Sequence, residues 1–210
     1  LLNIPGTPAS AASCLDGHAL ARQGHAGRAM GIATSGSVLG TLIGMFFLAL
    51  FTPLLGELAL KFGAYEFFWL AVFGVVISGT LTGDDPLKGW MAGFLGLFVA
   101  AWSSYAAAKR ASKEPEKFGK GSIDGLMAAE TGDNACVPGA VIAVLTLAIP
   151  GSAPAAVLMA AMLIHGIRPG PMIMIENPPF VYDVVAMMTF ATLGILIYGL
   201  TLTNVLLKVL

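Results

Sequence analysis

The spacing of charged residues constrains this chain more than any other feature. Between Arg28 and Glu57 lie 28 consecutive residues without Asp, Glu, Lys or Arg. Further uncharged stretches run through 67–83, 89–108, 134–167 and 184–207. A helix that crosses a bilayer needs about 20 apolar residues, within a range of about 17 to 25. Five such stretches predict an all-α integral membrane protein, a polytopic helical bundle. Hydrophobic residues make up 57% of the 210 and charged ones 11%, against about 25% charged in an ordinary soluble domain. A globule of this length could not hide so much apolar surface. The formal net charge of −1 offers nothing to a nucleic acid. Cys14 and Cys136 lie far apart without metal-type spacing and read as small packing residues, so no metal site is expected. The chain opens on Leu1-Leu2 without an initiating Met, and its first charge is Asp16. No basic leader is visible, and the true N-terminus is expected to lie further upstream.

The first clear span is 29–55. Its Gly36, Gly40 and Gly44 recur every four residues, and small residues at that spacing let two membrane helices approach closely. Glu57, Lys61 and Glu66 read as a short polar loop, 67–81 as a second span, Asp84-Asp85-Pro86 as a turn and 89–108 as a third span. From 109 to 124 the chain turns hydrophilic and net positive, through Lys109, Arg110, Lys113, Glu114, Glu116, Lys117 and Lys120. This reads as a solvated loop whose charge favours the cytoplasmic side. A last span, 180–207, follows Pro178-Pro179, with Asp183 near its start to offset the helix-end dipole.

The stretch 135–167 is interrupted by Pro150-Gly151. Proline removes a helix donor and clashes with the preceding turn. Two half-length helices meeting near 149–154 are expected. In hydrocarbon an irregular backbone survives only where protein or a water-filled cavity surrounds it.

The same punctuation occurs twice: Ile4-Pro5-Gly6-Thr7-Pro8 near the start, and Ile149-Pro150-Gly151-Ser152-Ala153-Pro154 later. Each copy puts a hydroxyl residue after Pro-Gly and reaches a Gly-containing basic end, Arg22-Gln23-Gly24 or Arg168-Pro169-Gly170. An internal repeat follows, with halves 1–102 and 103–210 that are expected to carry inverted topology. Thr7-Pro8 and Ser152 with Pro154 each make a good helix start, a hydroxyl N-cap with proline in the first turn. A helix that begins in mid-membrane presents unpaired N–H groups and its positive dipole end, which suits an anion, most simply a carboxylate. Paired Pro/Gly-interrupted segments in corresponding halves point to a transporter's binding site.

These residues carry a family resemblance. Leu2-Asn3-Ile4-Pro5-Gly6-Thr7-Pro8 with Asp16-Gly17, Arg22-Gln23-Gly24 and Gly27-Arg28-Ala29 resembles the large membrane subunit of the tripartite tricarboxylate transporters. Phe118-Gly119-Lys120-Gly121, Glu130, Asn134-Ala135, Thr146-Leu147, Ile149-Pro150-Gly151-Ser152 and the run from His165 to Pro171 follow in that family's order. The resemblance implies a secondary transporter for citrate-like or other small carboxylates in a bacterial inner membrane. It implies two protein partners, a small membrane subunit and a periplasmic solute-binding protein. It implies a Na+ or H+ gradient as driving force and no other cofactor. It also implies further membrane segments before Leu1, and a Pro-Gly-rich stretch where the chain here runs through 101–104. Ala129 stands where the family usually has proline, Asp133 where Asn is common, and Ala148 where glycine is usual.

The candidate substrate site comprises Asn3, Pro5, Gly6, Thr7, Ser10, Asn134, Pro150, Gly151 and Ser152. Backbone groups at Gly6, Thr7, Gly151 and Ser152 would meet the anion, with Ser10 as a side-chain donor. Asn3 and Asn134 can each offer a donor or an acceptor, to substrate or to a sodium ion, and can equally cap a helix. Asp16, Glu130 and Asp133 are candidates for cation coupling, since ionisable groups at membrane depth are costly and usually functional. Glu130 and Asp133 are expected at the edge of the broken span. His165 is expected to close a half-helix. An enzyme is not expected: Gly119-Lys120-Gly121-Ser122 is no nucleotide loop, since its Lys is followed by Gly. The Gly-Asp pairs at 83–84 and 132–133 lack the first glycine of an intramembrane aspartyl protease, and a serine type would require Ser152 to meet His165. A carboxylate transporter of another family is the nearer rival.

Overall fold

A computed structural model describes residues 10–63, 65, 66, 69 and 101–209, all of whose regular structure is helical. The elements are α1 (Ala11–Arg22), α2 (Ala26–Ala59), α3 (101–111), a 3-10 turn (Pro115–Lys117), α4 (Ile123–Leu147), α5 (Ala153–Ile164), α6 (Ile173–Glu176) and α7 (Pro178–Val209). Two of these, α2 and the Pro178–Thr203 part of α7, are long and apolar enough to cross a membrane. The expected spans 29–55 and 180–207 thus lie inside α2 and α7. All of the expected span 67–81 but residue 69, the turn at Asp84-Asp85-Pro86 and most of 89–108 lie outside the described residues.

Boundaries differ in informative ways. α2 continues through Glu57, so the polar residue expected in a loop occupies the last helical turn. α7 begins at Pro178, which moves Asp183 to the second turn, beyond the first-turn range in which the helix dipole acts strongly. α4 begins at Ile123, twelve residues before the expected span, because Ser122 caps it: the Ser122 hydroxyl accepts from the Gly125 amide at 3.1 Å. Glu130 and Asp133 therefore sit within a regular helix, not at its edge.

The chain divides into two compact units. The first contains α1, α2 up to Gly44, α3, α4 up to Cys136 and α7 from Met188. Its buried cluster joins Ala12, Ala101, Tyr105, Phe118 and Ala129, with the Tyr105 and Phe118 rings edge-to-face at 5.2 Å. A smaller cluster of Leu20, Ala29 and Leu126 lies where α1, α2 and α4 meet. Gly36 and Gly40, both buried, bring α2 onto α4. A methyl group at Gly36 would lie 2.9 Å from the Glu130 Cβ, and one at Gly40 would lie 2.9 Å from the Thr131 Cα. The four-residue glycine spacing is thus a close-packing surface, as its sequence predicts.

The second unit contains α2 from Met45, α4 from Val137, α5, α6 and α7 up to Met187. Leu48, Thr52, Val144, Leu145, Thr146, Met162, Ile173 and Val181 are fully buried, and Gly56 leaves room for the Met174 side chain. α2, α4 and α7 each contribute to both units.

Candidate functional site

Two polar features interrupt the apolar helices, one in each unit, and a third ties the first unit together.

In the first unit the close approach at Gly36 and Gly40 places Ser37 against α4. Its hydroxyl donates to the Glu130 carboxylate (Oε2) at 2.9 Å and accepts from the Asn134 amide at 3.0 Å. The same amide nitrogen donates to the Glu130 backbone carbonyl at 2.9 Å, the i to i−4 reach along one helix face. Thr131 donates to the Gly36 carbonyl at 3.3 Å. All four side chains are half-buried. The bonds fix the orientation of the group. Both amide hydrogens of Asn134 are used, which turns its Oδ1 away as an acceptor, and one oxygen of Glu130 is held while the other has no partner among the described residues. Asp133, three residues after Glu130 on the same helix, is half-buried and makes no hydrogen bond or ion pair among the described residues.

Pro138 lies inside α4, fully buried. Proline has no N–H, so the Asn134 carbonyl four residues earlier loses its helical donor. The result is a set of oxygen acceptors — Glu130 Oε1, Asn134 Oδ1 and the Asn134 carbonyl — on two turns of one helix. Oxygen ligands of this kind suit a small hard cation. Neither Lys nor Arg forms an ion pair with Glu130 or Asp133 among the described residues. The sequence singles out Glu130, Asp133 and Asn134 but not Ser37 or Pro138. The signals were present: a serine beside a close-packing glycine, and a proline four residues after an asparagine.

In the second unit the helix breaks where the sequence predicts, but only α5 is half-length, since α4 runs for 25 residues from its start at Ile123. α4 ends at Leu147, and Ala148 takes φ 57°, a left-handed conformation that glycine adopts without strain. The Ile149 amide reaches back to the Ala143 carbonyl at 3.3 Å and the Ala148 amide to Val144 at 3.1 Å, closing the helix as a left-handed C-terminal motif. Gly151 then passes beside Ala140, where a methyl group would lie 3.5 Å from the Ala140 Cβ. Ser152 caps α5, its hydroxyl accepting from the Ala155 amide at 3.3 Å, with Pro154 in the first turn. The Ser152 hydroxyl hydrogen and the Gly151 and Ser152 amides, at the positive end of α5, have no acceptor among the described residues. α5 has 12 residues and rises about 18 Å, too short to cross about 30 Å of hydrocarbon. His165 occupies the C-cap of the same helix, as expected. Ser152 and His165 stand at opposite ends of α5, roughly 20 Å apart, so they cannot form a protease dyad.

Asp16 is fully buried, and its carboxylate accepts four hydrogen bonds. Oδ1 accepts from the amides of Gly119 (2.8 Å), Gly121 (2.8 Å) and Ser122 (2.7 Å), and Oδ2 accepts from the Tyr105 hydroxyl (2.8 Å). Gly119 and Gly121 have φ of 82° and 104°, which turns their amides and that of Ser122 toward one anion. The carboxylate also lies at the N-terminus of α4, where the dipole favours negative charge. Four donors thus meet this one carboxylate, three on Oδ1 and one on Oδ2. The glycine-rich loop cradles an anion after all, one that the chain itself supplies. The loop expected to be merely solvated is folded down at 118–122 for this reason.

The remaining predicted residues are accounted for as follows. Asn3, Pro5, Gly6 and Thr7 lie outside the described residues, and with them the first copy of the repeated motif. Ser10 is the residue before α1, and its hydroxyl makes no cap bond. Asn134 belongs with Glu130, whereas Pro150, Gly151 and Ser152 belong to the break. No group of three His, Cys, Asp or Glu side chains among the described residues could hold a metal.

Comparison with known proteins gives three results. The family model described as the tripartite tricarboxylate transporter TctA family matches residues 1–103 and 98–210. The chain is 26% identical, over 304 aligned positions, to an uncharacterized 52.8 kDa protein in the TAR-I ttuC' 3' region of Agrobacterium vitis; the alignment covers all of this chain and 61% of that protein. It is 33% identical over 115 positions to an uncharacterized protein in the TAR-II ttuC' 3' region of the same organism, covering 55% of this chain and 48% of the relative. The chain thus spans about half to three-fifths of the curated relatives it matches. Aligning 210 residues over 304 positions also leaves at least 94 positions of the first relative without a counterpart here. No solved structure matches the chain.

Proposed function

The chain belongs to the tripartite tricarboxylate transporter TctA family, and we propose that it is the membrane-embedded permease subunit of a cation-gradient-driven, binding-protein-dependent transporter for tricarboxylates or related small carboxylates. The family match across the whole chain carries this reading. The helices that are apolar enough to cross a membrane agree with it. In this reading the protein is a multi-pass component of a bacterial inner membrane, built from inverted repeats. It works with a small membrane subunit and a periplasmic solute-binding protein.

The two polar features divide the labour. A substrate carboxylate would accept hydrogen bonds from the Gly151 and Ser152 amides and the Ser152 hydroxyl at the start of α5, where the helix dipole lowers the cost of a desolvated negative charge. The coupling cation would be held by Glu130 and Asn134, with the Pro138-freed carbonyl as a further ligand and Asp133 adding negative charge beside it. Such a division, helix N-terminus for the anion and freed carbonyls for the cation, is the chemistry that discontinuous membrane helices offer.

Uptake of radiolabelled citrate and other small carboxylates into vesicles tests the proposal. The vesicles would hold the full-length protein and its small membrane subunit, with the binding protein added outside under a sodium or proton gradient. Uptake should require both binding protein and gradient. Correctly inserted protein that moves no carboxylate with a working set of partners would overturn the substrate class.

A further inference from the structure

At one end of the first unit two short connections come together. The α1–α2 turn and the α3–α4 loop are joined by Gln23, whose side-chain amide donates to the Lys120 carbonyl at 2.7 Å. The Asp16 clamp holds the same loop from beneath. The joined connections concentrate positive charge. Arg22 and Arg28 flank the turn, and Lys109, Arg110, Lys113, Lys117 and Lys120 lie along the loop, all of them exposed. These are seven of the chain's eleven Lys and Arg residues. Only Glu114, Glu116 and Asp124 oppose them among the exposed groups of the same two segments, leaving a balance of +4. Glu114 is committed to Lys117 by an ion pair of 2.6 Å, a hydrogen bond that also raises the Lys117 pKa and keeps it cationic.

The placement of this charge decides what it can meet. Arg28 lies in the first turn of α2, and the 28-residue uncharged stretch of that helix begins at the next residue. The basic face therefore stands at the junction between a membrane-length apolar helix and water, the level at which phospholipid phosphates lie. Clusters of four to eight Lys and Arg at such a junction attract anionic headgroups. We propose that this face, centred on Lys109, Arg110, Lys113 and Lys120, binds the phosphates of anionic phospholipids and seats the α1–α2 and α3–α4 connections on an acidic leaflet. Arg and Lys differ here in role. Arg110 can grip a phosphate through two parallel N–H bonds, whereas each lysine acts as a point charge.

The test compares the full-length protein with a variant in which Lys109, Arg110, Lys113 and Lys120 are all replaced by Gln. None of these side chains touches the Asp16 clamp, which uses only backbone amides of the loop, so the variant should fold. Both are reconstituted in nanodiscs of phosphatidylcholine alone or with phosphatidylglycerol. Amide hydrogen exchange of 109–122 and the number of phosphatidylglycerol molecules retained in native mass spectrometry are then read. Wild type should show slower exchange with phosphatidylglycerol and lose that protection as salt rises. The variant should lose it at all salts, each removed charge weakening the preference on the order of fivefold. A Lys61→Gln control, with its single charge beyond the other end of α2, should retain wild-type behaviour. Equal lipid retention and equal exchange in wild type and the quadruple variant would overturn the proposal. So would protection of 109–122 that arises only on adding the other transporter subunits, since a protein would then be the partner.

Discussion

Ser37 and Glu130, 93 residues apart in the chain, share a hydrogen bond of 2.9 Å across the contact of α2 with α4. The contact exists because Gly36 and Gly40 let the two backbones close to a distance at which a short hydroxyl can reach a carboxylate. Replacing Ser37 by Ala should cost roughly 1–2 kcal/mol of stability, because the carboxylate keeps its burial and loses a donor. Glu130→Gln keeps the shape and should leave the melting temperature in detergent within a few degrees. In the uptake assay it should abolish the dependence on the cation gradient. Gradient-dependent uptake at the wild-type level in Glu130→Gln would remove Glu130 from the coupling role.

Pro138→Ala separates helix stability from ion binding. The new N–H can bond to the Asn134 carbonyl, so the helix should gain stability, by up to about 3 kcal/mol on propensity grounds. The same bond withdraws the carbonyl as a ligand, and half-maximal uptake should need severalfold more coupling cation. Unchanged cation dependence would show that this carbonyl plays no part.

The glycines of α2 and α4 make a matched pair of tests. Gly40→Ala would set a methyl 2.9 Å from the Thr131 Cα, with backbone that cannot yield, and should destabilise by roughly 1–3 kcal/mol. At Gly139, nothing lies within 4 Å of the added methyl, and Gly139→Ala should instead stabilise the helix by about 0.5–1 kcal/mol. Thermal denaturation of both variants in one detergent reads the two signs directly.

Ala148 carries the cost of a left-handed backbone, φ 57°. Ala148→Gly should therefore stabilise the protein by on the order of 1 kcal/mol. A fall in melting temperature would mean that the methyl contributes packing worth more than the strain, for instance against Gly170, which lies beside it.

The Asp16 clamp predicts the largest single loss. Asp16→Asn removes the charge that three amides and a phenol surround, and should cost roughly 2–4 kcal/mol. Tyr105→Phe removes one donor of the four and should cost about 1–2 kcal/mol. Denaturant titrations followed by circular dichroism would rank the two; equal, negligible effects would mean that the clamp contributes little to folding.

Much of this was legible in the sequence because membrane helices announce themselves by what they lack. The uncharged runs located α2 and α7, and Pro150-Gly151 located the break, since a missing N–H ends a helix wherever it falls. The cap at Ser152 followed from the same local chemistry. What stayed hidden depends on contacts between distant segments. The clamp around Asp16 has no mark in the sequence, because its four partners lie 89 to 106 residues away. The glycines at 119 and 121 looked like loop residues, and only their φ values show amides converging on one anion. Helix boundaries slipped for a related reason: Ser122 starts α4 amid polar residues, where hydrophobic patterning gives no mark. The first copy of the repeated motif lies outside the described residues, so only the second copy could be compared with its expectation.

The Asp16 clamp also sets an order of events during biosynthesis. The carboxylate emerges from the ribosome with α1, but its first amide partner, Gly119, follows 103 residues later. At about 5–20 residues per second of synthesis, that delay is on the order of 5–20 s. Throughout it a charged group destined for complete burial must stay hydrated. α1 can therefore lock into place only after α3 and the start of α4 have been made, however early its own residues emerge.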